Sequence, residues 1–140
     1  MKKLLIFLIF NSLTSFGQNE PWSNTQLIEP LKLAMIINEG NNIPKIISIG
    51  PGVVIKNSIG AGECRFKENL DNLEQTLLSL SKEKEIIIYC GCCPFKDCPN
   101  IRPVFSLMNK LGFINHKLLN VSNNIKTDWI DKDYPTNEIH

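Results

Sequence analysis

Four of the chain's five cysteines crowd into one stretch, Cys90-Gly91-Cys92-Cys93-Pro94-Phe95-Lys96-Asp97-Cys98-Pro99-Asn100. A thiolate, not a thiol, attacks electrophiles and binds soft metals, so the setting that stabilises the anion decides what such a stretch does. Several chemistries are open. Cys90 can act as a nucleophile that takes up a sulfane sulfur as a persulfide, with Gly91, Cys92 and Cys93 in the loop that stabilises the anion through its backbone N–H groups. Cys93 or Cys98 can then resolve a persulfide or sulfenate on Cys90 by forming a disulfide, which would make the protein a thiol-disulfide or sulfur-relay enzyme. The same thiols can instead hold Cu(I) or Zn(II) in a non-catalytic binding module. A Cys93–Cys98 disulfide that merely stiffens the loop is a further reading. Zinc sites usually draw spaced cysteine pairs from separate segments, and only Cys64 lies outside the loop, so no metal or other cofactor is expected.

Because the cysteine count is odd, at least one thiol has no partner within the chain. Cys64, closing the turn Gly60-Ala61-Gly62-Glu63, reads as a small buried hydrophobe that could face the same edge as the loop. Lys96 and Arg102 are placed to draw an anionic donor. His116 falls inside an apolar strand pattern and His140 ends the chain, so neither has the setting of a general base. Trp22 and Trp129 read as packing anchors at the two ends of the domain.

These residues need elements to position them. Ile86-Ile87-Ile88-Tyr89 is apolar throughout, as expected of a central strand covered on both faces in a parallel sheet, and it delivers the chain to Cys90. Ligands in such sheets bind beyond the carboxyl ends of the strands. The loop then enters a helix bearing Val104, Phe105, Leu107, Met108 and Leu111, with Asn100 as its N-cap and Gly112 as its end. The first N–H groups and the dipole of that helix should favour an exposed thiolate at its entrance. Upstream, Ser23 or Asn24 could cap a helix through Leu27, Leu31, Leu33, Ala34 and Ile37, which Pro30 can divide. Ile46 to Ile49 reads as a strand, Val53 to Ile55 as a short second one, and 58–62 as a turn. Leu70, Leu73, Leu77 and Leu80 mark a helix over 68–81, and Phe113 to Leu119 a last strand. Strands alternating with helices predict a single α/β domain with a mostly parallel central sheet flanked by helices.

The run Ile86-Ile87-Ile88-Tyr89-Cys90, a loop, a helix through Leu111-Gly112-Phe113, then Leu118-Leu119 and Trp129 resembles the C-terminal half of rhodanese-like domains. Ile59-Gly60-Ala61 is similar to their Ile-Pro-Gly-Ala turn. The resemblance implies a sulfurtransferase in which Cys90 carries the persulfide, loop amides cradle the transferred sulfur, and Arg102 assists late in the loop. It implies a small sulfur donor and a thiol acceptor or partner protein. This loop is longer than the family's and carries three further cysteines. Gly50-Pro51 stands where the family has Asp-x-Arg, Ser58 where it usually has histidine, and Asn123-Asn124 where it has Gly-Gly.

The chain has 140 residues, 43% hydrophobic and 21% charged, which suits one globular domain. A formal net charge of +1 leaves no broad field for nucleic acid or anionic lipid. Lys2-Lys3, the apolar run Leu4 to Phe10, and small Ser15 and Gly17 follow the order of a signal peptide over residues 1–17, leaving a domain over 18–140. The apolar run is shorter than the roughly 20 residues a spanning helix needs, so no membrane anchor is expected after cleavage. A periplasmic or secreted location would permit disulfides.

Overall fold

The computed structural model describes residues 19–138, so the expected signal peptide lies outside the described residues. Among these residues the elements are β1 (Leu27–Ile28), α1 (Pro30–Glu39), β2 (Lys45–Ser48), β3 (Ser58–Gly60), α2 (Lys67–Leu78), β4 (Ile86–Tyr89), α3 (Ile101–Lys110), β5 (His116–Leu119) and α4 (Ile125–Asp128). The strands form one sheet in the order β1-β5-β4-β2-β3, every neighbouring pair parallel. This is the predicted α/β architecture. No helix among the described residues is long and apolar enough to cross a membrane.

Side-chain alternation along the strands divides the core between the two faces of the sheet. Ile47, Ile49, Ile86 and Ile88 pack with Leu73 and Leu77 of α2 and with Val104, Phe105 and Met108 of α3. Ile46, Ile87 and Tyr89 pack with Leu33, Ala34 and Ile37 of α1 and with Trp129. Cys64, Cys90 and Cys98 belong to the first of these layers.

Two expectations need correction. Leu27 does not open a helix, because Leu27–Ile28 pairs with Leu118–Leu119 as an edge strand. The cause is Pro30, which pushes the preceding residue out of the helical region (Glu29 has φ −72 and ψ 144) and then serves as the first helical residue itself. Val53 to Ile55 is not a strand, and the expected turn at 58–60 is. The amides of Val54 and Ile55 donate instead to the Tyr89 hydroxyl, at 3.0 and 3.2 Å, and Ser58 Oγ lies 3.1 Å from the same oxygen. A side chain of β4 thus does the work of a neighbouring strand and frees Ser58–Gly60 to pair with β2.

The C-terminal segment ties distant parts together. Trp129 is fully buried and its indole N–H donates to the Pro135 carbonyl at 2.9 Å. Lys56 N–H donates to the same carbonyl at 3.0 Å, and Asn137 N–H to Val54 at 2.8 Å.

Candidate thiol site

Cys90 follows the last residue of β4, so its position comes from the most deeply buried strand. The loop beyond it is pinned rather than free. Ile125 N–H donates to the Gly91 carbonyl at 3.0 Å, and Phe95 N–H to Val121 at 2.9 Å. Phe95 is itself buried, its ring centroid 6.0 Å from that of Trp22, and it opens a single 3-10 turn, Phe95–Asp97. The extra length of the loop is therefore folded inward, which swings Cys98 back toward Cys90.

The sulfurs of Cys90, Cys92 and Cys98 all lie within 4.8 Å of one another. Cys90 Sγ is 3.3 Å from Cys92 Sγ, which is 2.9 Å from Cys93 Sγ. All five cysteines are free thiols in this structure, so the further reading of a Cys93–Cys98 disulfide is not the state it describes. Cys92 and Cys98 both bond to the Cys90 sulfur, and Cys93 lies against Cys92 and bonds also to Cys98.

The Cys90 sulfur was expected to be exposed at the entrance of α3. It is buried, with 1% of the residue exposed, and Cys92 is the exposed cysteine of the cluster. Even so, it has the character of an anion. The Cys98 thiol donates to it, joined by the Cys92 backbone N–H, the Asn100 side-chain amide at 3.5 Å and the Cys92 thiol, and together they hold its pKa down to about 5 against the opposing effect of burial. Its donors are pushed the other way. Cys98 is held well above the ordinary thiol range by its bond to Cys90 and by burial, and burial with the bonds to Cys93 and Cys90 raises Cys92 to about 12. One negative charge is thus shared among three sulfurs and centred on Cys90. Buried Cys64 is raised to about 11, first by desolvation and then by the Cys90 charge, which places it on the same edge as a neutral thiol.

Asn100 stands at the expected cap position but makes no side-chain cap. Its amide bridges instead, Nδ2 donating to Cys90 Sγ and Oδ1 accepting from the Arg65 N–H at 2.9 Å. The backbone N–H of Asn100 bonds to Cys98, so the helix entrance serves that sulfur and not Cys90. Arg102 is also engaged elsewhere than expected: its guanidinium pairs with Glu20 at 2.6 Å and lies 5.4 Å from the Trp22 ring centre. Lys96 lies over the Phe95 ring at 5.8 Å. His116 is buried against Phe105 with Nε2 2.7 Å from Asn109 Oδ1, and burial lowers its pKa, as befits a structural histidine.

Gly50 is a site residue that the sequence marks only as a departure from the family's Asp-x-Arg. A Cβ there would stand 2.4 Å from Cys90 Sγ. Gly91 is similar, since its Cβ would meet Ile125 at 2.8 Å. Gly50 follows β2, the neighbour of β4, and that register was the only available hint. Beside the loop lies a groove of about 590 Å³ walled by Glu20, Trp22, Asn24, Pro94, Phe95 and Asn120, with no cysteine in its lining.

Among solved structures, the chain is similar to a rhodanese-like domain from Anabaena sp., with a TM-score of 0.57 and 15% identity over 81% of this chain and 80% of that one. It is similar also to a full-length protein from Lactobacillus plantarum, with a TM-score of 0.57 and 10% identity over 82% of this chain and 89% of that one. No protein-family model and no curated protein sequence matches. At these identities the likeness is one of architecture: the chain has the rhodanese-like fold, with a cysteine cluster in the loop after its central strand.

Proposed function

We propose that the protein is a sulfurtransferase that carries sulfane sulfur on Cys90. The observation that supports this most directly is the network of donors on the Cys90 sulfur, which favours an anion in a buried position at the end of the central strand. The Cys90 thiolate attacks the outer sulfur of a hydropersulfide donor. A new S–S bond forms to Cys90, the donor's S–S bond breaks, and the donor leaves as a thiolate with the electron pair. An acceptor thiolate then attacks the terminal sulfur of the persulfide and regenerates the Cys90 thiolate, so the cycle needs no external oxidant or reductant. Exposed Cys92, 3.3 Å away, marks the side from which donor and acceptor approach. The donor network that holds the resting thiolate also suits the persulfide anion, whose charge lies one atom further out.

The test is the intact mass of the reduced protein after incubation with an inorganic polysulfide and removal of excess reagent. A gain of one sulfur that Cys90→Ser abolishes is expected, with the gain discharged by added cyanide or thiol. A gain retained in Cys90→Ser and lost in Cys98→Ser would move the nucleophile and sink the reading. Export belongs to the same proposal, and cell fractionation that finds the protein in the cytosol with residues 1–17 intact would count against it.

A further inference from the structure

We infer that Cys90, Cys92 and Cys98 form a three-thiolate site for Cu(I). The inference is independent of sulfur transfer and rests on the geometry of the three sulfurs. Thiolate–metal bonds are about 2.3 Å long, so three sulfurs arranged in a plane around one ion stand roughly 4.0 Å apart. The cluster already has its sulfurs within 4.8 Å of one another and one pair at 3.3 Å, so small side-chain adjustments complete the triangle.

The donor set selects the ion. The group contains only sulfur, with no carboxylate or imidazole, which disfavours oxygen-seeking cations. Structural zinc asks for four ligands in a tetrahedron. Cys93 touches Cys92 at 2.9 Å and bonds to Cys98 but does not join the mutually close group around Cys90, and Cys64 is hydrogen-bonded to the Gly62 carbonyl at 3.5 Å. Three soft anionic ligands satisfy Cu(I) without a fourth.

The surroundings fit a singly charged ion in a dry site. Cys90 and Cys98 are buried beside Phe95 and Ile101, which keeps water and oxidants from the ion. Three thiolates around one Cu(I) leave an excess of negative charge. Donors already face it: the Cys92 N–H and the Asn100 side-chain amide at Cys90, and the Asn100 backbone N–H at Cys98. Cys92 alone of the three is exposed, so it is the point at which an incoming thiol ligand can exchange the ion. Coordination releases any thiol proton to solvent and changes no oxidation state. Because Cys90 is common to both roles, a loaded site cannot accept sulfane sulfur.

The experiment is an anaerobic titration of the reduced full chain with Cu(I) against bicinchoninate as competing chelator. One Cu(I) per chain is expected, with three sulfurs around copper by X-ray absorption. Cys92→Ser changes an exposed side chain and leaves the fold intact. It should weaken binding by at least about 100-fold, since losing a ligand exceeds the loss from disturbing an outer-shell partner. Cys90→Ser and Cys98→Ser should do the same, while Cys64→Ser leaves affinity unchanged and Cys93→Ser, which removes only a neighbour of Cys92, costs less than any of the three. Binding indifferent to Cys92→Ser, an equal loss in Cys64→Ser, a fourth sulfur on copper, or retention of Zn(II) in preference to Cu(I) would each overturn the assignment. Absence of a polysulfide mass gain would bear on the transfer reading alone.

Discussion

At Cys90 two effects oppose each other, and the hydrogen bonds prevail over burial. The linkage has a definite sign. An acid whose folded pKa is depressed from 9.0 to about 5 adds stability that is fully present above the unfolded value and is lost as pH falls through the folded one. Buried His116, lowered from its ordinary 6.5, loses stability in the same acid direction, so the two must be separated by difference. The urea midpoint of the wild type relative to Cys90→Ser should therefore widen steadily between about pH 5 and pH 8. A gap constant with pH would mean that Cys90 stays neutral. Gly50 allows a complementary check. Gly50→Ala drives a methyl group against the sulfur and should displace Cys90 from its donors. Its titration midpoint, followed by thiolate ultraviolet absorbance, should climb toward the ordinary thiol value. Overpacking of this kind costs about 1–3 kcal/mol. Cys90 was legible as the candidate from its place after an all-apolar strand, but the reason expected for an anion there, exposure at a helix entrance, is replaced by burial and side-chain donors. The donors were not legible, because Asn100 reads as a cap and its bridge to Arg65 depends on a turn far away in sequence.

Tyr89 explains much of what the sequence left hidden at the level of elements. Local pattern assigns 53–55 to a strand and 58–62 to a turn, whereas 58–60 is the strand, because one hydroxyl satisfies backbone amides that a strand at 53–55 would otherwise pair. Propensity carries no trace of such a side-chain substitute. Tyr89→Phe removes the acceptor for Val54 and Ile55 and the partner of Ser58 while keeping the ring. Leaving a buried polar group unpaired costs about 1–3 kcal/mol. The variant should lose stability by that order in urea, with hydrogen exchange accelerated at Val54 and Ile55 and little changed in α3. Uniform acceleration would argue that Tyr89 acts only as core volume. The strands and helices with strong periodicity, β4, α2 and α3, were by contrast readable, since burial on both faces or on one stripe dictates their composition.

For the molecule as a whole, the parallel α/β plan followed from the alternation of elements, and the division of the core between two sheet faces followed from the pleat. The polar tail after Trp129 gave no comparable signal, because its role lies in backbone bonds rather than in side-chain pattern. Yet it is a buckle. One end of the C-terminal segment grips the Gly91 carbonyl of the cysteine loop through Ile125, and the other holds the 54–56 backbone that rests on the Tyr89 hydroxyl. Tension on this belt is thus shared by the two residues that bracket the start of the loop, Tyr89 and Gly91. Ile125→Pro, which removes the N–H that grips Gly91 at a first helical position that tolerates proline, keeps buried Trp129, every cysteine and every helix of the α2–α3 layer. Its Cys90 should nevertheless titrate at a higher pH and react less selectively with thiol reagents.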